Sequence, residues 1–244
     1  QLYKCFQDGI DIVLHAATNY DNNIDDLQNV FMSNLQLPME LIDLCKKNNV
    51  KYFINIDSFY SSNKNIYTKK LPFYKLSKKQ LLEWIKLYAS FKKINFINIK
   101  IFHLFGHEEN NRKFINYLIN NMIKNKQIEL SSGNEKINFV YIKDVIEAIK
   151  ILIKNIKFIS KEGFIEFHLG YDEKTSIKKL VAILAKIINS ESQIRFNIAE
   201  ENDDKFDKFD KDKSLFNFIN YAQRYDLKTG LEDIVNYKMN KLNE

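Results

Sequence analysis

The chain has 244 residues, 45% of them hydrophobic and 14% aromatic, with 37 basic and 31 acidic side chains for a net charge of +6. That length builds one large domain or two small ones around a substantial core, and the spread of aliphatic and aromatic residues excludes a mainly disordered chain. The apolar runs, such as 52–56 and 96–105, are too short or too interrupted by Asn, Lys and His to span a bilayer, so no membrane partner is expected.

In chain order, Gln1-Leu2-Tyr3-Lys4 shows no basic n-region and no apolar h-region, so no signal peptide is read there. The missing initiator Met points to a sequence that starts inside a longer gene product. Residues 11–17 read as a buried strand ending in small residues. A helix is predicted over 25–49, with Leu27, Val30, Phe31, Leu35, Leu41, Ile42 and Cys45 at helical spacing and Pro38 at a break or an early turn. A second strand over 51–56 precedes a polar loop over 57–70, a helix over 73–91 and a third strand over 95–102. Further on, a helix is predicted over 113–124, short extended segments over 127–130 and 139–142, and a helix over 144–154. A strand over 164–169, a strongly amphipathic helix over 176–188 and a last helix over 230–241 complete the pattern. The charged, repetitive stretch 200–213 reads as an exposed loop or a flexible helix. Alternation of this kind predicts an α/β chain with a parallel sheet and crossover helices, its strands apolar enough for burial on both faces.

The positive charge says little about partners. Of the 37 basic residues 34 are lysines scattered among Asn and Ile, and the arginines are Arg112, Arg195 and Arg224. Arginine is the residue that reads phosphates and guanines in bidentate fashion, so a solvated surface is the reading here and no nucleic-acid partner is expected. Two cysteines, Cys5 and Cys45, are too few for a disulfide framework, which places the chain in a reducing cytoplasm. The histidines share no metal-ligand spacing with one another or with the cysteines, so no metal is expected.

The residues that point to chemistry are Ser58, in a loop after a strand, and Tyr74 and Lys78, four apart at the start of the next helix and so on one face of it. A phenol with an ordinary pKa of about 10 is a poor acid or base near neutrality, but a nearby ammonium favours phenolate and lowers that value. A serine hydroxyl at the carboxyl end of the preceding strand then has a place to hydrogen-bond the reacting oxygen. This is an arrangement for interconverting a carbonyl and an alcohol. Alone, Tyr-x-x-x-Lys recurs by chance in a chain this rich in both residues, and an ordinary helix start is the plain alternative. The order of the elements around it adds weight.

At this point the sequence resembles the extended short-chain dehydrogenase/reductase family of NAD-dependent epimerases and dehydratases that act on nucleotide sugars. Asp11 to Ala17 is similar to its "D-x-V-x-H-x-A-A" strand, which implies a cofactor-binding role for His15, Ala16 and Ala17. Asn34 falls where members carry an Asn in the following helix, again on the cofactor side. The match makes Ser58, Tyr74 and Lys78 the catalytic residues, with Tyr74 and Lys78 also holding the cofactor. Ile99 to Gly106 resembles "L-R-x-x-N-V-Y-G", which implies that Phe102 and His103 line the nicotinamide and substrate. Lys113 and Phe114 are candidates for the nucleotide diphosphate, with an exposed helix lysine as the plain reading of Lys113. Residues 137–145 resemble "R-D-F-V-Y-V-x-D-V", 167–170 with 175–177 "Y-N-x-G … x-S-I", and 227–234 the "P-x-x-x-L-x-x-G-L-x-x-x-I" helix.

Lys100 stands where Arg is usual, His103 where Asn is, His107 where Pro is and Ile137 where Arg is. The short loop after Ser58 and the segment Tyr74 to Gln80 look most like the branch of CDP-abequose and CDP-paratose synthases, which implies reduction of a 4-keto group on a CDP-linked dideoxyhexose. Phe59 and Tyr60 stand where the dehydratases place an Asp-Glu pair. The glycines are 9, 106, 133, 163, 170 and 230, and no Gly-x-x-Gly-x-x-Gly occurs among them. The expectation is therefore a Rossmann-type doubly wound α/β fold lacking its first βαβ unit. Residues 1–102 and 134–160 form the cofactor part, and 103–133 and 161–244 mainly the substrate part. NAD or NADP is the expected cofactor and a nucleotide sugar the substrate, handled by a 4-ketoreductase or 4-epimerase in a cytoplasmic homodimer. The alternative is a catalytically incompetent relic or a non-catalytic nucleotide-sugar-binding protein.

Overall fold

The computed structural model describes residues 2–7, 9–20, 27–62, 71–91, 93–107, 113–159, 163–197 and 209–243. Strand β1 (Ile12–His15) is followed by α1 (Leu27–Phe31), a π-helical turn (Met32–Gln36), α2 (Leu37–Lys47), β2 (Tyr52–Ser58) and a 3-10 turn (Phe59–Ser62). Then come α3 (Pro72–Ser90), β3 (Asn95–Ile101), β4 (His103–Phe105), α4 (Phe114–Ile123), β5 (Ile128–Glu129), β6 (Lys136–Ile137), β7 (Phe139–Tyr141) and α5 (Ile142–Lys154). The rest is β8 (Phe164–Leu169), β9 (Thr175–Ser176), α6 (Ile177–Ile188), β10 (Ile194–Arg195), α7 (Leu215–Phe218) and α8 (Leu227–Asn243). Among the described residues no helix is long and apolar enough to cross a membrane.

The chain divides into two units, the first of 1–101, 155–168 and 203–215, the second of 102–154, 169–202 and 216–244. Residues 134–154, grouped with the cofactor part in the sequence reading, fall in the second unit.

In the first unit β1, β2, β3 and β8 form one sheet in that order, with β1–β2 and β2–β3 parallel. Both β2 and β3 are buried almost throughout, as expected of parallel strands covered on both sides. Phe53 and Phe96 pack with Ile42 and Cys45 of α2 and Leu81, Ile85 and Ala89 of α3. Side chains alternate across a strand, so Asn55 and Asp57 follow Phe53 on that face, and Asn98 and Lys100 follow Phe96. The helix-facing side of the sheet thus turns from apolar to polar toward the carboxyl ends of its strands.

Several boundaries differ from expectation. β1 ends at His15, leaving Ala16 and Ala17 in the following loop. Asp57 and Ser58 belong to β2 rather than to a loop, and residues 63–70 of that loop lie outside the described residues, as do 25–26, Arg112 and 200–208. Pro38 does not break its helix. It sits in the first turn of α2, directly after the widened π turn. Proline has no N–H to give the carbonyl four residues back, which is Asn34's, and a wider turn there relieves the mismatch. The last helix starts at Leu227, not Gly230, because Asp226 accepts the Thr229 N–H at 2.7 Å and caps it.

The second unit has its own core, in which Leu118, Ile119 and Met122 of α4, Leu180 and Leu184 of α6, and Leu231 and Ile234 of α8 are all fully buried. Gly230 lets α8 approach closely, since a Cβ there would lie 3.0 Å from the Phe105 ring. The loop before α8 is tied down by Asp144, whose buried carboxylate accepts the hydroxyls of Tyr171 (2.5 Å) and Tyr221 (2.6 Å) and the N–H groups of Arg224 and Tyr225 (3.3 Å each).

Candidate active site

Strand β2 ends by delivering Asp57 and Ser58, and the first turns of α3 bring Tyr74 and Lys78 to them. The Tyr74 hydroxyl is hydrogen-bonded to Ser58 and to Tyr20, from the loop after β1. Lys78 lies one turn along α3, its Nζ 5.9 Å from the centre of the Tyr74 ring and 3.2 Å from the carbonyl of Ile56, to which it donates. Tyr74 is 1% exposed and Lys78 3%. The three residues singled out by spacing are therefore brought together within the first unit.

Their electrostatics differ from expectation. Burial, and after it the neighbouring Tyr20, holds the Tyr74 pKa well above the ordinary phenol value, with Ser58 pulling the other way. Lys78 is expected from the spacing to lower that pKa, but burial, Tyr20, Ser58 and Asp57 set it, and its direction is upward. Burial lowers the pKa of Lys78 itself, and the charge of Asp57 opposes the fall. The site presents a protonated phenol beside a buried lysine.

Asn34 is buried on the π turn and wholly engaged by the protein. Its amide nitrogen donates to the Asn19 carbonyl (2.9 Å) and the Ser77 hydroxyl (3.0 Å), while its oxygen accepts from the Asn19 N–H (2.7 Å) and the Thr18 hydroxyl (3.2 Å). Ser77 in turn donates to the Tyr74 carbonyl at 2.9 Å. Asn34 thus ties the loop carrying Tyr20 to the helix carrying Tyr74.

A row of polar side chains crosses the sheet below the site. His15 Nδ1 lies 3.0 Å from Asn55 Oδ1, and Asn55 Nδ2 donates to Asn98 Oδ1 at 2.8 Å. Asn98 Nδ2 donates to Asp57 Oδ2 (3.0 Å) and to Glu166 Oε2 (3.3 Å). Since Asn55 presents oxygen to His15, Nδ1 is the protonated nitrogen of the ring. Burial lowers the His15 pKa, the hydrogen bond to Asn55 opposes the fall and the Lys78 charge adds to it, so the ring is neutral and Nε2 is a bare acceptor. That Nε2 is buried with no hydrogen-bond partner among the described residues.

This orphaned acceptor, with the Lys78 ammonium in electrostatic reach of it, fits the hydroxyl-rich ribose end of a nicotinamide dinucleotide. Ala16 and Ala17 are exposed, and their short side chains leave the backbone open. For the pyrophosphate, the sequence holds no Gly-x-x-Gly-x-x-Gly. Among the described residues no group of acidic, histidine and cysteine side chains is placed to hold a metal ion.

The other candidates belong to the second unit. Phe102 is buried and donates its N–H to the Leu169 carbonyl at 3.0 Å. His103, half-buried in β4, gives its N–H to the Asn138 carbonyl at 3.0 Å, and its ring stands 5.9 Å from that of Phe139. Lys113 is exposed at the N-cap position of α4, and Phe114 packs against the core of its unit.

Tyr20, Asp57 and Asn98 were not singled out from the sequence. Asp57 and Asn98 carried a usable signal, being polar residues at alternate positions of otherwise apolar strands, where burial demands partners.

Serine, tyrosine and lysine are thus gathered at the carboxyl end of a parallel sheet, the edge at which open α/β folds bind their ligands. The chain belongs to the NAD dependent epimerase/dehydratase family, whose model matches residues 1–166. It is 27% identical over 235 residues to CDP-abequose synthase of Salmonella muenchen, covering 94% of this chain and 77% of that protein. It is 29% identical over 150 residues to CDP-abequose synthase of Yersinia pseudotuberculosis, covering 59% of this chain and 52% of that one. Among solved structures, UDP-glucuronic acid 4-epimerase from Bacillus cereus, in complex with UDP-glucuronic acid and NAD, superposes with a TM-score of 0.82 at 23% identity, over 98% of this chain and 78% of that one. UDP-N-acetylglucosamine 4-epimerase from Methanobrevibacter ruminantium M1 gives 0.80 at 18% identity, over 98% and 80%. The expected family and Rossmann-type α/β class are both met.

Proposed function

We propose that this chain reduces the 4-keto group of a nucleotide-linked sugar with NAD(P)H, in the synthesis of surface-polysaccharide sugars in the cytoplasm. The observation that carries this reading is the hydrogen-bonded Ser58–Tyr74 pair with buried Lys78 one helical turn further on. When bound, the reduced nicotinamide supplies the hydride that adds to C4. Tyr74, kept protonated by burial, gives its proton to O4 as negative charge develops there. The Ser58 hydroxyl is a second donor to the same oxygen. Lys78 opposes the charge left on the phenolate and, with His15 and Tyr74, holds the cofactor's ribose side. Asn34 serves the cofactor side indirectly, by fixing the Tyr20 loop against α3. In this reading the first unit is the cofactor part and the second the substrate part; Phe102 and His103 are further candidates for the cofactor, and His103, Lys113 and Phe114 for the sugar nucleotide. The name shared by the two relatives, CDP-abequose synthase, supports a CDP-linked sugar.

The same chain is proposed to form a homodimer through α3. Leu76, Trp84 and Leu87 stand exposed on the side of that helix turned away from Leu81, Ile85 and Ala89, Phe91 follows at its C-cap, and Leu27, Phe31 and Met32 add exposed apolar surface before α2.

The test is oxidation of NAD(P)H by the protein expressed from its whole reading frame, against a panel of nucleotide 4-keto sugars. One cofactor consumed per sugar is expected, and Tyr74→Phe should cut turnover on the order of a hundred- to ten-thousandfold while cofactor binding persists. Redox-neutral inversion at C4 makes the chain a 4-epimerase instead, and turnover retained in Tyr74→Phe removes Tyr74 from the role.

A further inference from the structure

Asp57 takes no part in the proposed proton and hydride transfer, yet its carboxylate is heavily engaged at the end of β2. Asp57 is 4% exposed. Oδ1 accepts the N–H of Ser58 at 2.7 Å, and Oδ2 accepts the Ser61 hydroxyl at 2.6 Å and Asn98 Nδ2 at 3.0 Å. Ser61 also donates to the Ser58 carbonyl at 3.0 Å, so the peptide groups on both sides of Ser58 are fixed through this cluster. These donors are neutral, so they occupy the carboxylate's lone pairs without bringing an opposite charge to it.

Among the described residues the charged and titratable groups around it are few. His15 comes from β1, Lys100 from β3, where it stands in register with Asp57, and Glu166 from β8. Tyr74, Lys75 and Lys78 come from α3, and Tyr20 lies on Tyr74. The other acid, Glu166, already receives Lys100 at 3.3 Å and Lys213 at 3.4 Å, and His168 lies 3.5 Å from it. Lys78 is a buried ammonium, and an uncompensated one is costly. Among the described residues Asp57 is the acid left to face it.

We infer that Asp57 is a positioning residue of this site, its carboxylate fixing the turn that presents Ser58 and serving as the counter-charge to Lys78. The inference rests on the catalytic reading for its effect on turnover, but not for its effect on charge. Removing the carboxylate disfavours the Lys78 ammonium and relieves the pressure on the Tyr74 phenol, so both groups give up their protons at lower pH.

Two measurements on Asp57→Asn test it. The first needs no substrate: the ring-carbon resonance of Tyr74, identified with Tyr74→Phe in protein carrying 13C-labelled tyrosine, is titrated with alkali. Its midpoint should move to lower pH in Asp57→Asn and stay near wild type in Asp57→Glu, which keeps the charge. The second is turnover, where a loss of roughly ten- to hundredfold in kcat with little change in KM is expected, and the alkaline limb of the pH–rate profile should move to lower pH. A purely structural role would lower kcat and leave both midpoints in place. An unmoved Tyr74 midpoint in Asp57→Asn overturns the inference, as does a downward move in Asp57→Glu, which decides the matter alone if the Asn variant does not fold. Absence of turnover on every sugar would overturn the catalytic reading and leave the resonance experiment valid.

Discussion

The rings of Tyr20 and Tyr74 lie 4.5 Å apart, inclined by 29°, with a hydrogen bond between their side chains. Tyr20 is 44% exposed and Tyr74 1% exposed, so the acid of the site meets solvent behind a second phenol. The charge and hydrogen bond of Tyr20 both raise the Tyr74 pKa. Tyr20→Phe keeps the stack and removes the hydroxyl. Tyr74 should then titrate at lower pH, and the alkaline limb of turnover, where the phenol loses its proton, should move down with it. The same labelled-tyrosine titration checks this, and an unchanged midpoint contradicts it.

Glu166 makes the chain sensitive to acid. Burial alone would raise its pKa, but a hydrogen bond from His168 and the charges of Lys100 and Lys213 outweigh that and bring it from 4.5 to about 2. A carboxylate depressed on folding contributes stability that is present above its unfolded value and lost as pH falls from about 4.5 toward about 2. Glu166→Gln should cost on the order of 2–3 kcal/mol near neutrality and progressively less toward about pH 3. Urea unfolding across that range measures it, and a penalty that does not shrink on acidification contradicts it.

Trp84 is 47% exposed on the apolar outer side of α3. A charge in the middle of a buried dimer contact is expensive, so Trp84→Asp should give a monomer by light scattering at concentrations where the wild type is a dimer. A monomeric wild type, or an Asp variant that remains dimeric, rules out this face.

The order of the elements and the Ser58–Tyr74–Lys78 group were legible because both rest on local rules. Apolar runs of strand length alternate with helical spacing, and a separation of four residues puts Tyr74 and Lys78 on one face. The Tyr74 pKa was not legible, since its direction is set by burial, a property of the fold and not of the spacing. Nor was the buried polar row: Asn55 and Asn98 are 43 positions apart, Asn98 and Glu166 are 68 apart, and only the sheet register makes them neighbours. The widened turn at Asn34 was hidden too, because Pro38 signals that a helical hydrogen bond is missing without saying whether the chain breaks or widens.

The polar row has a direction. Glu166 and Asp57 at its acidic end can only accept, which obliges Asn98 to turn its nitrogen toward them and its oxygen toward β2. Asn55 must then answer with nitrogen, which leaves its own oxygen for His15. Neither amide can flip without setting oxygen against oxygen. Which nitrogen of His15 carries the proton is therefore decided on the far side of the sheet, and a change made to the acids at that end would be felt as a change of tautomer at β1.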